Sequence, residues 1–572
     1  MNSDASKNND LEIDALASVV SSFFKTKIGG EEGESLSKLT WLLSKRVASG
    51  SSHLLPHEAN EILDGWKSLP AIGNEEENLP LVSTVHGKLY FRRFFEYEKQ
   101  VAEVLSARLG RVSVKVSKES EAFFKEFLSV LVDEDQALAV GMILQRDLVL
   151  LTGGPGTGKT RSIVAMLAAY AYENPENLIA LAAPTGKAAF RMRESVLETV
   201  KELQLPVSIM EKLIDSAKAS TLHRLLGSKN GSVDFIRNKQ NRLPFDLVII
   251  DEASMVDLPL MAKLCESLKE ESKLVLIGDA DQLSPVQGGA VFNGLVQSFP
   301  SNVFRSKDFP LMKVFSASAK LCTEVNPLAG ALVQLSNVHR RNNSSSTAKI
   351  GELCDAINQG RSDDVVSIIQ SGAECITWIN DQNDPQLDSL MLDEFSQISG
   401  APDPAIALSK IDEFRILCAN NEGRYGVSNW NHRAEQLLPE ADSQIIPVVI
   451  HVNDYTVDLF NGDDGVVLGS CSYFHSEEGV REIARSRLPQ HKVGYATTIH
   501  RSQGSEFNKV AVVLPPEDSK LLSRELLYVA VSRAKQKVFI IGSKKSVIAA
   551  VERSEKQNSG VSDFINLSYQ QS

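Results

Sequence analysis

Four short apolar runs recur between about residues 116 and 330: Leu148-Val149-Leu150-Leu151, Ile179-Ala180-Leu181-Ala182, Leu247-Val248-Ile249-Ile250 and Leu274-Val275-Leu276-Ile277. They lack polar alternation, so they predict parallel strands covered on both faces. Helical patterns lie between them, which implies a doubly wound α/β sheet whose ligands gather at the carboxyl ends of the strands. A second α/β block is expected from 331 onward, with strands near Phe414-Arg415-Ile416-Leu417, Val510-Ala511-Val512-Val513 and Val538-Phe539-Ile540-Ile541. Between 435 and 490 the pattern turns β-rich around Gly462-Asp463-Asp464-Gly465, which predicts a small inserted barrel. Residues 1–115 mix helical patterns at 11–24 and 36–47 with polar breaks. At 89–98 five aromatics and four charges crowd together, as an amphipathic helix docking on a core or as a partner-facing surface.

The expected organisation is therefore 1–115, mainly helical; 116–330, with a short insertion at about 227–245; 331–434 joined to 491–572; and 435–490 as the insert. The chain has 572 residues, 43% hydrophobic and 23% charged, which fits a multidomain globular protein and excludes fibrous or disordered classes. Its formal charge of −13 argues against binding polyanions through overall charge, so a nucleic-acid site has to be a local groove. Apolar runs of membrane-spanning length and a hydrophobic signal core are both lacking, and a cytoplasmic protein is expected. Six cysteines without a C-x2-C pair read as packing thiols.

Gly153-Gly154-Pro155-Gly156-Thr157-Gly158-Lys159-Thr160 follows the first strand and opens a helical run, the context a phosphate-binding loop requires. Its glycines let backbone N–H groups close around phosphate, Lys159 reaches the β/γ oxygens of ATP, and Thr160 offers a hydroxyl to Mg²⁺. Asp251 and Glu252 end the strand at 247–250; Asp251 is the second Mg²⁺ candidate and Glu252 the residue placed to orient and deprotonate water. Gln282, in Gly278-Asp279-Ala280-Asp281-Gln282, carries an amide suited to the γ-phosphate. Arg340 in His339-Arg340-Arg341 and Arg533 in Ser532-Arg533-Ala534-Lys535 are candidates for transition-state charge stabilisation, with Arg341 competing for the first role. A site drawing on both α/β blocks couples hydrolysis to movement.

These strings, with APTGKAA at 183–189, STLHRLLG at 220–227, IIDEASMVD at 249–257, GDADQLSPVQGG at 278–289, TTIHRSQGSEF at 497–507 and YVAVSRAK at 528–535, resemble the ordered motifs of superfamily 1 DNA helicases of the RecD branch. LYFRRFFEYEK at 89–99 also resembles the RecD subunits of exodeoxyribonuclease V. The resemblance implies two RecA-like motor domains, an SH3-like insert and 5′→3′ translocation. It implies that Gln136 reads adenine, that Pro184, Thr185, Thr221, His223, Thr498 and His500 line a single-strand DNA groove, and that Gln503, Gly504 and Glu506 link groove to nucleotide. The implied partners are single-stranded and duplex-end DNA together with RecB and RecC, in double-strand-break repair and degradation of linear duplex. The nuclease centre is implied to lie on another subunit, since Glu517-Asp518-Ser519-Lys520 lacks the upstream carboxylate of a nuclease site. The motif NVHRRN departs from the family in lacking an aromatic beside the arginine, and the N-terminal region is too short for the extension of stand-alone RecD-like helicases. The rival readings are such a stand-alone helicase and a P-loop NTPase acting as a switch or scaffold.

Overall fold

Apolar runs without alternation need cover on both faces, and the first sheet has it. The computed structural model describes residues 4–571 except 113–115, 130, 204, 217, 230, 231, 233, 286, 287, 323–327, 338–344, 439–444, 455, 477, 478, 555, 556 and 558. Six parallel strands lie in the order Leu332–Gln334, Leu148–Thr152, Lys273–Gly278, Leu247–Ile250, Ile179–Ala183, Ser220–Thr221. Val149, Leu151, Ile249, Val275 and Ile277 pack into one core, where helices Glu134–Gln145 and Lys159–Glu173 lie. Leu148, Leu150, Val248, Ile250, Leu274 and Leu276 face the other core, closed by helices Arg92–Leu109 and Leu258–Ser267. Successive side chains thus leave the sheet on opposite sides and both find apolar partners.

The chain forms two compact units. One comprises Asp10–Ala280, Ser284–Val338 and Lys556–Ser572; the other comprises Met1–Asn9, Asp281–Leu283 and His339–Glu555. The terminal helix Val561–Gln571 therefore belongs with the first unit, where the sequence reading expected it in the second block. The cause is an apolar i, i+4 pair: Val561 and Ile565 are buried in the core that also holds Val101, Leu105 and Leu109.

The amino-terminal part of the first unit carries helix Asp4–Ile28 from Asp10 onward, helix Gly30–Ala48 and also a four-stranded sheet, His53–Leu54, Leu89–Phe91, Leu81–Ser83, Ile72–Gly73. The aromatic segment at 89–98 is accordingly a strand followed by a helix. It faces inward: Tyr90 and Phe95 are buried, while Phe91, Phe94 and Tyr97 are half-buried. Tyr90 and Phe95 thus follow the core-docking reading.

In the second unit, five parallel strands run Ile376–Ile379, Ala534–Ile541, Phe507–Val513, Phe414–Cys418, Ala496–Thr498. An antiparallel five-stranded sheet, Gly479–Ala484, Cys471–Ser476, Asp464–Leu468, Ile446–Ile450, His491–Val493, interrupts them in sequence. Buried Arg415 joins the two sheets, pairing with Asp464 at 3.1 Å, donating to the Gly494 carbonyl and lying over the Phe507 ring. The six cysteines are free thiols. Among the described residues no helix is long and apolar enough to cross a membrane.

Candidate functional site

Strand Leu148–Thr152 pairs with Lys273–Gly278, which pairs with Leu247–Ile250. Because the three run parallel, Gly153, Asp279 and Asp251 leave the sheet at the same edge. In the loop after Leu148–Thr152, Gly156 and Gly158 hold φ of +77° and +83°, where a Cβ is strained. A Cβ on Gly153 would lie 2.6 Å from Thr157 Oγ1 and 3.0 Å from Leu335, so that position needs glycine for space. Buried Thr157 donates to the Gly154 carbonyl at 2.9 Å. Lys159 Nζ donates to the carbonyls of Gly153 at 2.6 Å and Gly154 at 3.1 Å. Gly154, Pro155 and Thr160 are half-exposed, and the helix beginning at Lys159 starts here with its first N–H groups unpaired by the helix itself.

Asp251 stands at the end of the next strand but one, beyond Lys273–Gly278. Loss of water contact pushes its carboxyl above the ordinary range, opposed by the Glu252 N–H, which donates at 2.8 Å, and by the charge of Lys159. Glu252 has φ +51°, a left-handed backbone rare outside glycine and asparagine and worth about 1 kcal/mol of strain. Such strain persists where surroundings fix it, and it falls on the predicted water-orienting residue. The glycine-lined cradle suits a polyphosphate, and Thr160 and Asp251 supply the hard oxygen donors that Mg²⁺ takes.

Gln136 is fully buried. Its amide nitrogen donates to the Thr157 carbonyl at 3.1 Å and its oxygen accepts from Asp133 N at 3.2 Å, closing a capping box on helix Glu134–Gln145. Thr185 follows strand Ile179–Ala183 and Thr221 ends its neighbour Ser220–Thr221, and each caps a helix, accepting from Ala188 N and Arg224 N at 3.2 Å. Pro184 is half-exposed and His223 exposed, its ring 5.8 Å from Phe235.

The second unit gathers a separate set. Gln282 is buried beside Leu283, whose carbonyl accepts from Gln503 Nε2 at 3.2 Å. Gly504 holds φ +72°, and Glu506 lies 3.9 Å from Lys535. Arg533 is 3% exposed and donates at 3.2 Å each to the Val529 carbonyl, the Ser505 carbonyl and Ser532 Oγ. Thr498 Oγ1 accepts from Arg501 N at 3.3 Å, and burial lowers the His500 pKa. Arg340 and Arg341 lie outside the described residues.

Sequence reasoning missed two arrangements, both joining residues far apart in the chain. Arg146 and Asp308 form an ion pair at 3% and 2% exposure, with Arg305 Nε 3.1 Å from the same carboxylate. Arg501 meets His451 fifty residues away. Neither pair lies in a contiguous string, so no local signal marks it.

Residues 136–288 match the AAA domain family, and 493–541 match the UvrD-like helicase C-terminal domain. The chain is 34% identical over 520 residues to the RecBCD enzyme subunit RecD of Mycolicibacterium smegmatis, covering 87% of this chain and 86% of that one. It is 36% identical over 497 residues to the RecBCD enzyme subunit RecD of Mycobacterium tuberculosis, covering 83% and 79%. It is 28% identical over 514 residues to the ATP-dependent RecD2 DNA helicase of Deinococcus radiodurans, covering 86% of this chain and 61% of that one.

Proposed function

The chain belongs to the RecD family of superfamily 1, ATP-dependent DNA helicases, and from that premise we propose that it is the 5′→3′ helicase subunit of a RecBCD-type exodeoxyribonuclease V, working in the cytoplasm with RecB and RecC on duplex ends. In this reading the first sheet with its covering helices and the five-stranded parallel sheet of the second unit are the RecA-like motors, the antiparallel sheet within 446–493 is an SH3-like insert, and 1–115 docks on the partner subunits. The nuclease centre belongs to a partner.

The observation that carries the reading is the placement of the glycine loop and the Asp251-Glu252 pair at the same edge of one parallel sheet, on strands separated by Lys273–Gly278. Lys159, whose ammonium lies among the loop carbonyls, exchanges those acceptors for phosphate oxygens of bound ATP. Thr160 and Asp251 would hold Mg²⁺, which when bound neutralises charge on those oxygens. Glu252 orients the attacking water and takes its proton. Gln282 contacts the γ-phosphate, Gln136 sits against the loop at the adenine end, and Arg340 and Arg533 supply positive charge to the transition state. Gly504 and Glu506 complete the nucleotide set, and Pro184, Thr185, Thr221, His223, Thr498 and His500 grip the strand.

Docking through residues 1–115 draws support from helix Asp4–Ile28, where Leu16, Val19 and Phe23 are 63%, 68% and 55% exposed along one face. Deleting 1–115 would strip Val101, Leu105 and Leu109 from the first unit's core, so the informative variant is Leu16→Ser with Val19→Ser and Phe23→Ser. Expected are lost co-purification with RecB and RecC and retained DNA-stimulated ATPase. Unwinding of 5′-tailed duplex tests the helicase itself: hydrolysis without DNA stimulation would return the chain to the switch class, and full activity of a lone monomer to the stand-alone class.

A further inference from the structure

Helix Val291–Ser298 buries Val291, Phe292 and Leu295 in the core that also holds Leu274 and Leu276. One further buried position on this helix is polar: Asn293 is 7% exposed. A buried amide is costly unless it is bonded, so an asparagine inside an apolar run is kept for what its side chain holds. Its nitrogen donates to the Ala280 carbonyl at 3.0 Å and to Ser284 Oγ at 3.4 Å. Its oxygen is buried without a hydrogen-bond partner. The position therefore keeps its donor even though its acceptor goes unmet, which is destabilising by itself.

Ala280 and Ser284 are the two ends of one short loop. Between them Asp281, Gln282 and Leu283 cluster with the second unit, whereas Ala280 and Ser284 stay with the first. The span is held on each side of Gln282. Within the second unit Asn358 Nδ2 donates to Asp281 at 3.2 Å, and Gln503 Nε2 donates to the Leu283 carbonyl at 3.2 Å. Within the first unit the Ala280 N–H donates at 3.4 Å to Oγ1 of Thr152, the residue that precedes the glycine loop, and Asn293 joins the two ends. The helix under Asn293 is itself fixed: a Cβ on Gly278, at the end of the strand that feeds the loop, would lie 2.9 Å from the Phe292 ring.

We propose that Asn293 is a positioning residue for ATP hydrolysis: by joining Ala280 to Ser284 it fixes the three-residue span that carries Gln282, without touching nucleotide itself. The proposal rests on the helicase reading, in which Gln282 contacts the γ-phosphate. Such a contact acts on the reacting group, and a misplacement of about 1 Å costs up to roughly 10² in rate. The glycine loop, which binds the other phosphates, keeps its own hydrogen bonds when Asn293 is lost. Loss of Asn293 thus acts on kcat and leaves the KM for ATP alone.

The test is steady-state, DNA-stimulated ATPase of the full chain, with melting temperature followed in parallel. The variants are Asn293→Ala, Ser284→Ala, Gln282→Ala and the two doubles that carry Gln282→Ala. Asn293→Ala is expected to lower kcat about tenfold at unchanged KM, and Ser284→Ala, which removes only the longer bond, about twofold. In the Gln282→Ala background neither is expected to lower kcat further, because the span then has no amide to present. If Gln282→Ala keeps the wild-type kcat, the γ-phosphate role beneath the proposal falls. If Gln282→Ala slows hydrolysis and Asn293→Ala does not, the positioning role is overturned while that reading stands. Losses that multiply in the double variant, or a KM that rises in step with the fall in kcat, would also overturn it and leave Asn293 a packing residue. Should Asn293→Ala fail to fold, Ser284→Ala at its half-buried site carries the comparison, and a wild-type kcat there overturns the proposal.

Discussion

In the first unit the candidate chemistry is presented by backbone. Gly156 and Gly158 turn the loop, Gly153 makes room for Thr157, and one sheet edge aligns the loop with Asp251 and Glu252. In the second unit a similar parallel sheet presents side chains: Arg533 with three acceptors, Gln503 on the Leu283 carbonyl, and Arg501 against His451. The contrast explains a difference in tolerance. A backbone cradle is fixed by a few glycines in one string, whereas a side-chain cluster depends on partners supplied from far along the chain.

The largest effect should come from Lys159→Gln. Lys159 donates to the loop carbonyls of Gly153 and Gly154 and takes no part in an apolar core, so the fold should survive while DNA-stimulated ATP hydrolysis disappears. Hydrolysis at the wild-type rate would show that the glycine loop does not bind the phosphates through Lys159. Glu252→Gln should retain ATP and slow turnover by roughly 10² to 10⁴.

Arg533→Ala probes the other unit. As an arginine finger it should cost roughly 10³ to 10⁵ in rate, about 4 to 7 kcal/mol, with ATP affinity near normal. Its three hydrogen bonds also tie helix Arg524–Ser532 to the turn at Ser505, so the melting temperature must be followed alongside ATPase. A fall in melting temperature with hydrolysis intact would make Arg533 a packing residue and leave the charge role to Arg340.

What the sequence made legible follows the same division. The runs at 148–151, 247–250 and 274–277 declared strands because both faces need apolar cover, and the glycine loop declared itself because its chemistry is contiguous. Strands of two or three residues, such as Leu89–Phe91, have no period to read, so the aromatic segment looked wholly helical. Val561 and Ile565 name no partner, and only the structure assigns them to the first core. Gln136, which the resemblance implies reads adenine, is fully buried and spends its amide on the Asp133 cap and the Thr157 carbonyl.

Ion pairs should rank by enclosure. Asp308→Ala would strand Arg146, which is 3% exposed and already lowered to about 10 by burial, and should destabilise the first unit by about 3 to 5 kcal/mol. Asp464→Ala in the second unit should cost less, because Asp464 is 15% exposed and Arg415 keeps its carbonyl and ring contacts. Denaturant unfolding of both variants gives the order, and a reversed order would mean that enclosure is not what sets the cost.

The smallest effect concerns acid. His53 is buried against Tyr90 with its Nδ1 2.9 Å from Ser52 Oγ, and burial, assisted by Lys88, lowers its pKa from 6.5 to about 3. Between those values the unfolded chain binds a proton that the folded chain refuses, so the first unit loses stability as pH falls, by roughly 1 to 2 kcal/mol from pH 6.5 to 5, the slope rising toward 1.36 kcal/mol per pH unit as the unfolded imidazole becomes fully protonated. Glu98 works in the opposite direction: burial raises its pKa, so the folded state holds its proton to higher pH and gains on acidification. The two oppose each other in wild type, which makes the difference between variants the informative quantity. His53→Asn keeps a polar partner for Ser52 and removes the titration, so its unfolding free energy should fall less steeply than wild type between pH 6.5 and 5. In the second unit His451, at about 4, titrates beside Arg501, and His53→Asn should leave that unit's acid response unchanged. Parallel profiles for wild type and His53→Asn in the first unit would show that the buried imidazole does not govern its acid sensitivity.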